Sequence, residues 1–306
     1  MRRGVLAEGS GMDNMSIDRL IRAIDEKKNP SALGLDTRVE YVPKTFAERH
    51  DGGAAAVRAF NFALLDALKD VIPCVKVQSA FYEQMGLPGL ACMADTLAEA
   101  RRLGYVVILD AKRGDIGSTA EAYSGAYLGA SAPIPADFLT VNPYFGTDGV
   151  KPFIDDCEKT GRGVFILVKT SNPSSGEFQD VLTERGELLF ALVGNKVSEW
   201  GERVMGREGY SSVGAVVGAT YPEQGAKLRR RMPRVFFLLP GYGAQGASAA
   251  ALAGCFDSRG RGAVVNASRS LICAYKKAGT DDFVSAARDE ALRMRDELRK
   301  AVYGLG

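Results

Sequence analysis

Residues 105–120 read YVVILDAKRGDIGSTA, a run that opens as a strand and closes as the start of a helix. Its first five residues are apolar or aromatic, which is typical of a parallel strand covered on both faces. Asp110 and Lys112 close the run two residues apart, so their side chains share one face of the strand. Asp115 follows in the turn, and Thr119 about one helical turn further. The run therefore predicts a strand–turn–helix unit with charged side chains at the carboxyl end of its strand.

The same alternation of short apolar runs and longer amphipathic segments continues along the chain. It predicts strands over Ala32–Asp36, Cys74–Ser79, Tyr105–Lys112, Asp137–Asn142, Gly163–Thr170, Ser212–Ala219, Val235–Leu239 and Ala263–Ser268. It predicts helices over Gly52–Val71, Leu90–Leu103, Thr119–Leu128, Gly149–Lys159, Leu188–Val204, Pro222–Arg231, Ala247–Cys255 and Asp281–Val302. Eight strand–helix units favour an α/β fold of the (β/α)8 TIM barrel type. A doubly wound sheet is the alternative.

The length of 306 residues fits one such barrel, since α/β barrels of about 250 residues form a single domain. We expect an N-terminal tail and short helix over residues 1–30, with Ser16 as the N-cap, and a barrel catalytic domain over residues 31–306. One long irregular polar stretch, SNPSSGEFQDVLTER at 171–185, follows the fifth strand. Such loops are usually functional.

Composition excludes several classes of function. The 39 basic and 37 acidic residues leave a net charge of +2, which indicates neither nucleic acid nor a membrane as a partner. No apolar run is long enough to span a bilayer, and we expect a cytoplasmic protein. The five scattered cysteines favour neither disulfides nor a metal site, and four of them are expected to be buried structural thiols. The single histidine, His50, is expected at the surface, as is the basic run Arg229–Arg231.

Two further charged residues, Asp36 and Lys76, occupy the ends of the first two predicted strands. With Asp110 and Lys112 they form an alternating set that could keep all four groups ionised. The alternative is a group of surface ion pairs of little energetic weight. The set favours a rigid electrostatic catalytic site that needs no metal and no histidine.

A second motif, FFLLPGYGAQG at 236–246, follows the seventh predicted strand. It contains the pattern G-x-G-x-x-G: Gly241, Gly243 and Gly246. As a dinucleotide fingerprint it is weak, because it does not follow the first strand. In a barrel, the loops after strands seven and eight commonly bind phosphate, and Arg269 follows strand eight. We therefore expect a phosphate site here; the alternative is tight turns only.

Together, LDAKRGDIGSTA, GLD, VKVQ and PGYGAQG…ASRS resemble the orotidine 5'-monophosphate decarboxylase family, most closely its longer bacterial-type branch. The resemblance covers about residues 30 to 275. It implies a carboxy-lyase of pyrimidine biosynthesis that converts orotidine 5'-monophosphate to uridine 5'-monophosphate without a cofactor. It also implies a homodimer with shared active sites.

The resemblance assigns roles to individual residues. Lys112 would protonate C6 of the pyrimidine, and the other catalytic residues would be Asp110, Asp115 and Lys76. Asp115 would lie against the substrate carboxylate and, with Ile116 and Thr119, reach the partner's site. The remaining substrate-binding residues would be Asp36 on the ribose, Ser171 on the pyrimidine, and Pro240, Gly243, Gln245, Gly246 and Arg269 around the phosphate. Tyr242 stands where relatives commonly have a smaller residue.

Three alternatives remain open. A metal-dependent sugar-phosphate decarboxylase or aldolase has a similar D-x-K-x-x-D motif but a glutamate ligand where Lys76 stands here. A nicotinamide-dependent oxidoreductase would use Gly241–Gly246. A non-catalytic phosphate-binding module would leave the charged set unexplained.

Overall fold

The computed structural model describes residues 15–220, 222–243 and 248–304, and within these ranges eight parallel strands form a closed barrel. The strands follow one another in chain order around the barrel, and the first pairs with the last. Their bounds are β1 Ser31–Leu35, β2 Cys74–Gln78, β3 Val106–Arg113, β4 Phe138–Val141, β5 Gly163–Lys169, β6 Ser211–Val217, β7 Val235–Pro240 and β8 Ala263–Ala267. This is the predicted (β/α)8 TIM barrel.

Helices connect the strands on the outside of the barrel. Their bounds are α1 Ser16–Lys27, α2 Lys44–Ala47, α3 Gly53–Leu68, α4 Ser79–Glu83, α5 Gly86–Arg102, α6 Gly117–Tyr127, α7 Gly146–Thr160, α8 Gly176–Gln179, α9 Leu189–Trp200, α10 Pro222–Arg231, α11 Ala249–Leu252, α12 Arg269–Ile272, α13 Ala274–Ala278 and α14 Phe283–Tyr303. Each of the eight predicted helices overlaps one of these. The helix predicted over Ala247–Cys255 is shorter, and its first residue lies outside the described residues.

The strands are buried almost throughout, as their continuous apolar runs predicted. All positions of β1, β4, β6 and β8 are buried, and β3 becomes accessible only after Asp110. Inside the barrel the rings of Phe138 and Phe165 lie 4.9 Å apart. A Cβ on Gly163 would lie 2.4 Å from the Phe138 ring, so glycine makes room for that ring. The interior is thus a packed core.

The short N-terminal helix α1 begins at Ser16, one residue earlier than an N-cap at Ser16 would require. Ser16 is its first helical residue and Met15 takes the cap position, so the assignment of Ser16 as the N-cap was wrong. Instead, the buried carboxylate of Asp18 accepts the backbone N–H groups of Arg207 and Glu208. These residues precede β6, so the carboxylate ties α1 to the amino end of the barrel. The predicted tail at residues 1–14 lies outside the described residues.

Arg229 is buried, whereas its run was predicted to be a solvated face. Its guanidinium lies 3.7 Å from the centre of the Phe237 ring. It donates to backbone carbonyls at the amino ends of β7 and β8, a set we call the basal cage: Met232, Val235, Cys255 and Gly262. Arg230 and Arg231 are exposed, as predicted. The pattern of charge along α10 did not distinguish the one arginine that turns inward.

The burial or exposure of the cysteines and of His50 was also predicted from the sequence. Four cysteines are buried free thiols, as predicted for structural residues, and Cys273 is half-buried. His50 is half-buried rather than a surface residue, and its Nδ1 lies 2.9 Å from the carbonyl oxygen of Phe46. Within the described ranges, no helix combines the length and the apolar character needed to cross a membrane.

Candidate active site

Four charged side chains meet at the carboxyl ends of β1, β2 and β3, and we call them the charged array: Asp36, Lys76, Asp110 and Lys112. The Nζ of Lys76 lies 3.0 Å from Asp36 Oδ1 and 3.0 Å from Asp110 Oδ2. The Nζ of Lys112 lies 2.6 Å from Asp110 Oδ1. The structure therefore brings together the four residues that the sequence placed at neighbouring strand ends.

Strand register explains why these side chains meet. Gln78 of β2 lies opposite Asp110 of β3, and Gly34 of β1 lies opposite Lys76. Residues two apart share a face, so Lys76 and Gln78 both point into the barrel. The Nε2 of Gln78 donates to Asp110 Oδ2 at 3.0 Å.

The Asp110 carboxylate is the centre of this network. Its Oδ2 accepts from Lys76 and Gln78, and its Oδ1 accepts from Lys112 and from the Thr140 hydroxyl at 2.9 Å. A carboxylate with this many donors is held in one orientation. Sequence reasoning missed Thr140, although it is the one polar residue in the apolar strand FLTV.

The array keeps its buried members ionised. Burial alone would raise the pKa of Asp110, but the ammonium groups of Lys76 and Lys112 outweigh it and hold that pKa well below its usual range. Burial alone would lower the pKa of Lys76, but the carboxylates of Asp110 and Asp36 raise it above its ordinary value. Both groups are therefore charged at neutral pH.

Lys112 adopts an unusual backbone conformation. Its φ of +48° lies in the left-handed region, which costs a non-glycine residue of order 1 kcal/mol. The β3–β4 pairing shifts register between Leu109 and Arg113, and the Lys112 N–H donates to Thr140 Oγ1 at 2.8 Å. Thr140 thus contacts both the backbone of Lys112 and the carboxylate that binds its ammonium. The Lys112 side chain is 45% exposed, whereas that of Lys76 is 3% exposed.

A cavity of about 420 Å³ opens at this end of the barrel. The charged array, Gln78 and Thr140 line one wall. The opposite wall comes from the ends of β5, β7 and β8: Thr170, Ser171, Asn172, Pro240, Gly241, Tyr242, Asn266, Ser268 and Arg269. The predicted phosphate elements therefore face the charged array across one cavity.

Other predicted site residues lie elsewhere. Asp115, Ile116 and Thr119 are at the start of α6, outside the described lining of the cavity. Ile116 is 57% exposed, and its N–H donates to Asp115 Oδ1. Gly243 has a φ of +72°, which glycine tolerates readily. Gln245 and Gly246 lie outside the described residues.

The side chain of Tyr242 contacts the last helix, α14. It is buried, and its hydroxyl donates to Glu297 of α14 at 2.5 Å. Gly241 on one side has a φ of +107°, so the chain turns sharply beside the tyrosine. The larger residue at this position therefore connects the glycine loop to the last helix.

Fold and site together define a (β/α)8 barrel in which a fixed array of charges faces Gly241 and Arg269 across one cavity. The model of the Orotidine 5'-phosphate decarboxylase / HUMPS family matches residues 18–280. The chain belongs to this family. The resemblance predicted from the motifs is confirmed.

Individual relatives support this family membership. The orotidine 5'-phosphate decarboxylase of Clostridium acetobutylicum is 43% identical over 290 residues, which are 94% of this chain and 100% of the relative. The crystal structure of an orotidine 5'-phosphate decarboxylase homologue from Streptomyces avermitilis matches with a TM-score of 0.82 and 34% identity. The match covers 98% of this chain and 100% of that one. The structure of Leishmania donovani OMP decarboxylase has a TM-score of 0.73 and 28% identity, covering 92% and 99%.

Proposed function

We propose that this chain decarboxylates orotidine 5'-monophosphate to uridine 5'-monophosphate in the cytoplasm, as a cofactor-independent step of de novo pyrimidine biosynthesis. The observation that carries the proposal is the charged array, which lies across one cavity from the glycine loop and Arg269. The names of relatives about 40% identical over most of the chain support it.

Lys112 is the proposed proton donor. When the bond between C6 and the carboxylate breaks, carbon dioxide leaves and the electron pair remains on C6. The Lys112 ammonium stabilises that developing charge and then transfers a proton to C6. Because its side chain is 45% exposed, solvent can restore the proton afterwards. Asp110 and Lys76 keep the ammonium in place and need no reorganisation during the reaction.

The part of the opposite wall that comes from the ends of β7 and β8 is the proposed phosphate site. Arg269 would pair with the phosphate, with Pro240, Gly243, Gln245 and Gly246 around it. Binding a group far from C6 supplies energy that holds the reacting carbon against Lys112. Asp36 would bind the ribose, and Ser171 would contact the pyrimidine.

We further propose a two-fold homodimer in which the start of α6 completes the partner's site. Asp115, Ile116 and Thr119 lie outside the lining of their own cavity. Exposed apolar side chains surround this region: Ile116, Tyr144 and Phe145 are 57%, 86% and 49% exposed. A symmetric interface would bury that apolar surface and bring Asp115 to the neighbouring site.

One assay tests the activity. Purified protein should remove the absorbance of orotidine monophosphate and release uridine monophosphate with no added cofactor. A requirement for a nicotinamide cofactor, or turnover of a sugar phosphate in place of the nucleotide, would contradict the proposal.

Complementation tests the shared site. Lys112→Ala and Asp115→Ala chains, each inactive alone, are unfolded together and refolded. Half of the dimers should be mixed, each with one intact site of two, so activity recovers to about a quarter of wild type. If heterodimers form and no activity returns, Asp115 acts within its own chain and the shared site is wrong.

A further inference from the structure

We propose that Gln179 is a positioning residue for the pyrimidine end of the site, acting through Thr170 on the segment that carries Ser171. The inference rests on the proposed function, because it assigns Thr170–Asn172 to the wall that faces the base. These three residues line the cavity, whereas Gln179 itself does not appear in the described lining.

Gln179 binds Thr170 through both ends of its side-chain amide. Its Oε1 accepts the Thr170 backbone N–H at 2.9 Å, and its Nε2 donates to Thr170 Oγ1 at 2.8 Å. The Thr170 hydroxyl in turn donates to Asn172 Oδ1 at 2.7 Å. Strand β5 ends at Lys169, so the amide supplies the partner for the first backbone N–H after the strand.

The next residue, Asp180, fixes the position of Gln179 through an ion pair with Lys169. Its Oδ1 lies 2.8 Å from the Nζ of Lys169, which is fully buried. The Nε2 of Gln224 on α10 also donates to this oxygen, at 3.4 Å. A buried ammonium strongly favours keeping its carboxylate partner, so this contact restricts the end of α8 to one position.

The opposite side of Ser171 is confined by the turn after β6. A Cβ on Gly218 would lie 2.9 Å from the Cα and N of Ser171, so the two backbones are in close contact. The Thr220 hydroxyl donates to the Ser171 carbonyl at 3.3 Å. Ser171 is therefore held between this turn and the Gln179 contact, and loosening either one would let it move.

The short helix α8 lies at the surface of the barrel. None of its residues is buried, and Phe178 is 71% exposed. Gln179 at its last position and Asp180, which follows it, make the hydrogen bonds to Thr170 and Lys169. An angstrom-scale displacement of a group that contacts substrate can reduce turnover by about 10²-fold. Loss of the Gln179 contacts could therefore reduce turnover by up to this factor, by letting Ser171 move.

The test compares Gln179→Leu, which keeps the size of the side chain but removes both hydrogen bonds, with Glu177→Gln on the exposed face of α8. For Gln179→Leu we expect kcat/KM for orotidine monophosphate to fall about 10- to 100-fold. Affinity for uridine monophosphate, measured by calorimetry, should fall about tenfold by the same loss of alignment. Affinity for ribose 5-phosphate, which lacks the base, should stay unchanged. Glu177→Gln should match wild type throughout.

A second, more conservative variant allows the test even if Gln179→Leu does not fold. Gln179→Glu retains the acceptor for the Thr170 N–H but loses the amide donor, so its losses should be intermediate. The positioning role would be overturned if these variants bound uridine monophosphate and ribose 5-phosphate equally more weakly than wild type. It would also be overturned if neither affinity fell. The proposed function fails separately, if the wild-type protein shows no decarboxylation; the comparison of the two ligands still decides whether Gln179 acts on the base.

Discussion

Lys76 at the carboxyl end of the barrel is surrounded by carboxylates, whereas Arg229 at the amino end is surrounded by carbonyl groups. Both are buried, at 3% and 6% exposure. Countercharges raise the pKa of Lys76 above its ordinary value. In the basal cage, burial dominates and lowers the pKa of Arg229 to about 10. Full countercharges therefore preserve a buried cation's charge better than neutral dipoles do.

The two ends of the barrel also differ in how far their cations are exposed to solvent. The charged array ends in Lys112, which is half-exposed and faces the cavity. The basal cage joins the first residue of β7 to the residue just before β8, and its arginine is buried. Charges at the carboxyl face of such barrels typically serve chemistry, and those at the amino face serve stability. Substitutions at each end can test this division between chemistry and stability.

Replacing the accessible end of the array should abolish turnover and spare the fold. Lys112→Ala removes both the proton donor and the ammonium beside C6, so kcat should fall by at least about 10⁴-fold. Its melting temperature should stay near wild type, because the side chain is half-exposed. Lys151→Ala, at an exposed lysine of α7, is the matched control. Decarboxylation near the wild-type rate would show that Lys112 is not the donor.

Replacing the centre of the array should reduce stability as well as activity. Asp110→Asn removes the carboxylate between Lys76 and Lys112, which should cost about 3 kcal/mol or more of unfolding free energy. The folded-state pKa of Asp110 is lowered, so its stabilisation is complete above the unfolded pKa of about 3.9 and is lost as pH falls below it. The difference in melting temperature between variant and wild type should thus be constant from pH 8 to 5 and narrow below about pH 4. A difference that does not change with pH would contradict this electrostatic origin.

Replacing the basal arginine should reduce stability alone. Arg229→Met leaves buried carbonyls without donors, which should cost about 2 to 3 kcal/mol. The turnover of the folded fraction should stay within twofold of wild type. The neighbouring exposed residue supplies the control, since Arg230→Met should change neither property. A large loss of kcat in folded Arg229→Met would show that the two ends are not separate in function.

The smallest effect is expected from chelation. Lys76 occupies the space between Asp36 and Asp110, so the carboxylates of the array already have a cation. Activity should be unchanged in excess chelator. If activity disappears and magnesium restores it, the array is a metal site and the sugar-phosphate alternative is favoured.

Several features of the site could be read from spacing. Asp110 and Lys112 are two apart on a strand, and parallel strands end at the same face, so their proximity to Asp36 and Lys76 follows from the pattern alone. Thr140 was missed because it acts on residues of another strand, and Gln179 because only the fold shows which residue of its polar loop turns toward Thr170. Neither carries a charge or a motif that distinguishes it from other polar residues.

Sequence alone is enough to predict the order of strands and helices, the family and the four charges of the array, because hydrophobic periodicity and strand ends are local properties of the chain. Tertiary structure decided which charges are buried and how each is satisfied. Arg229, Arg230 and Arg231 look alike in sequence, yet only Arg229 enters a cage of carbonyls. Lys112 takes a left-handed conformation beside Thr140, a residue of the next strand. Burial and hydrogen bonding depend on segments that meet only when the barrel closes.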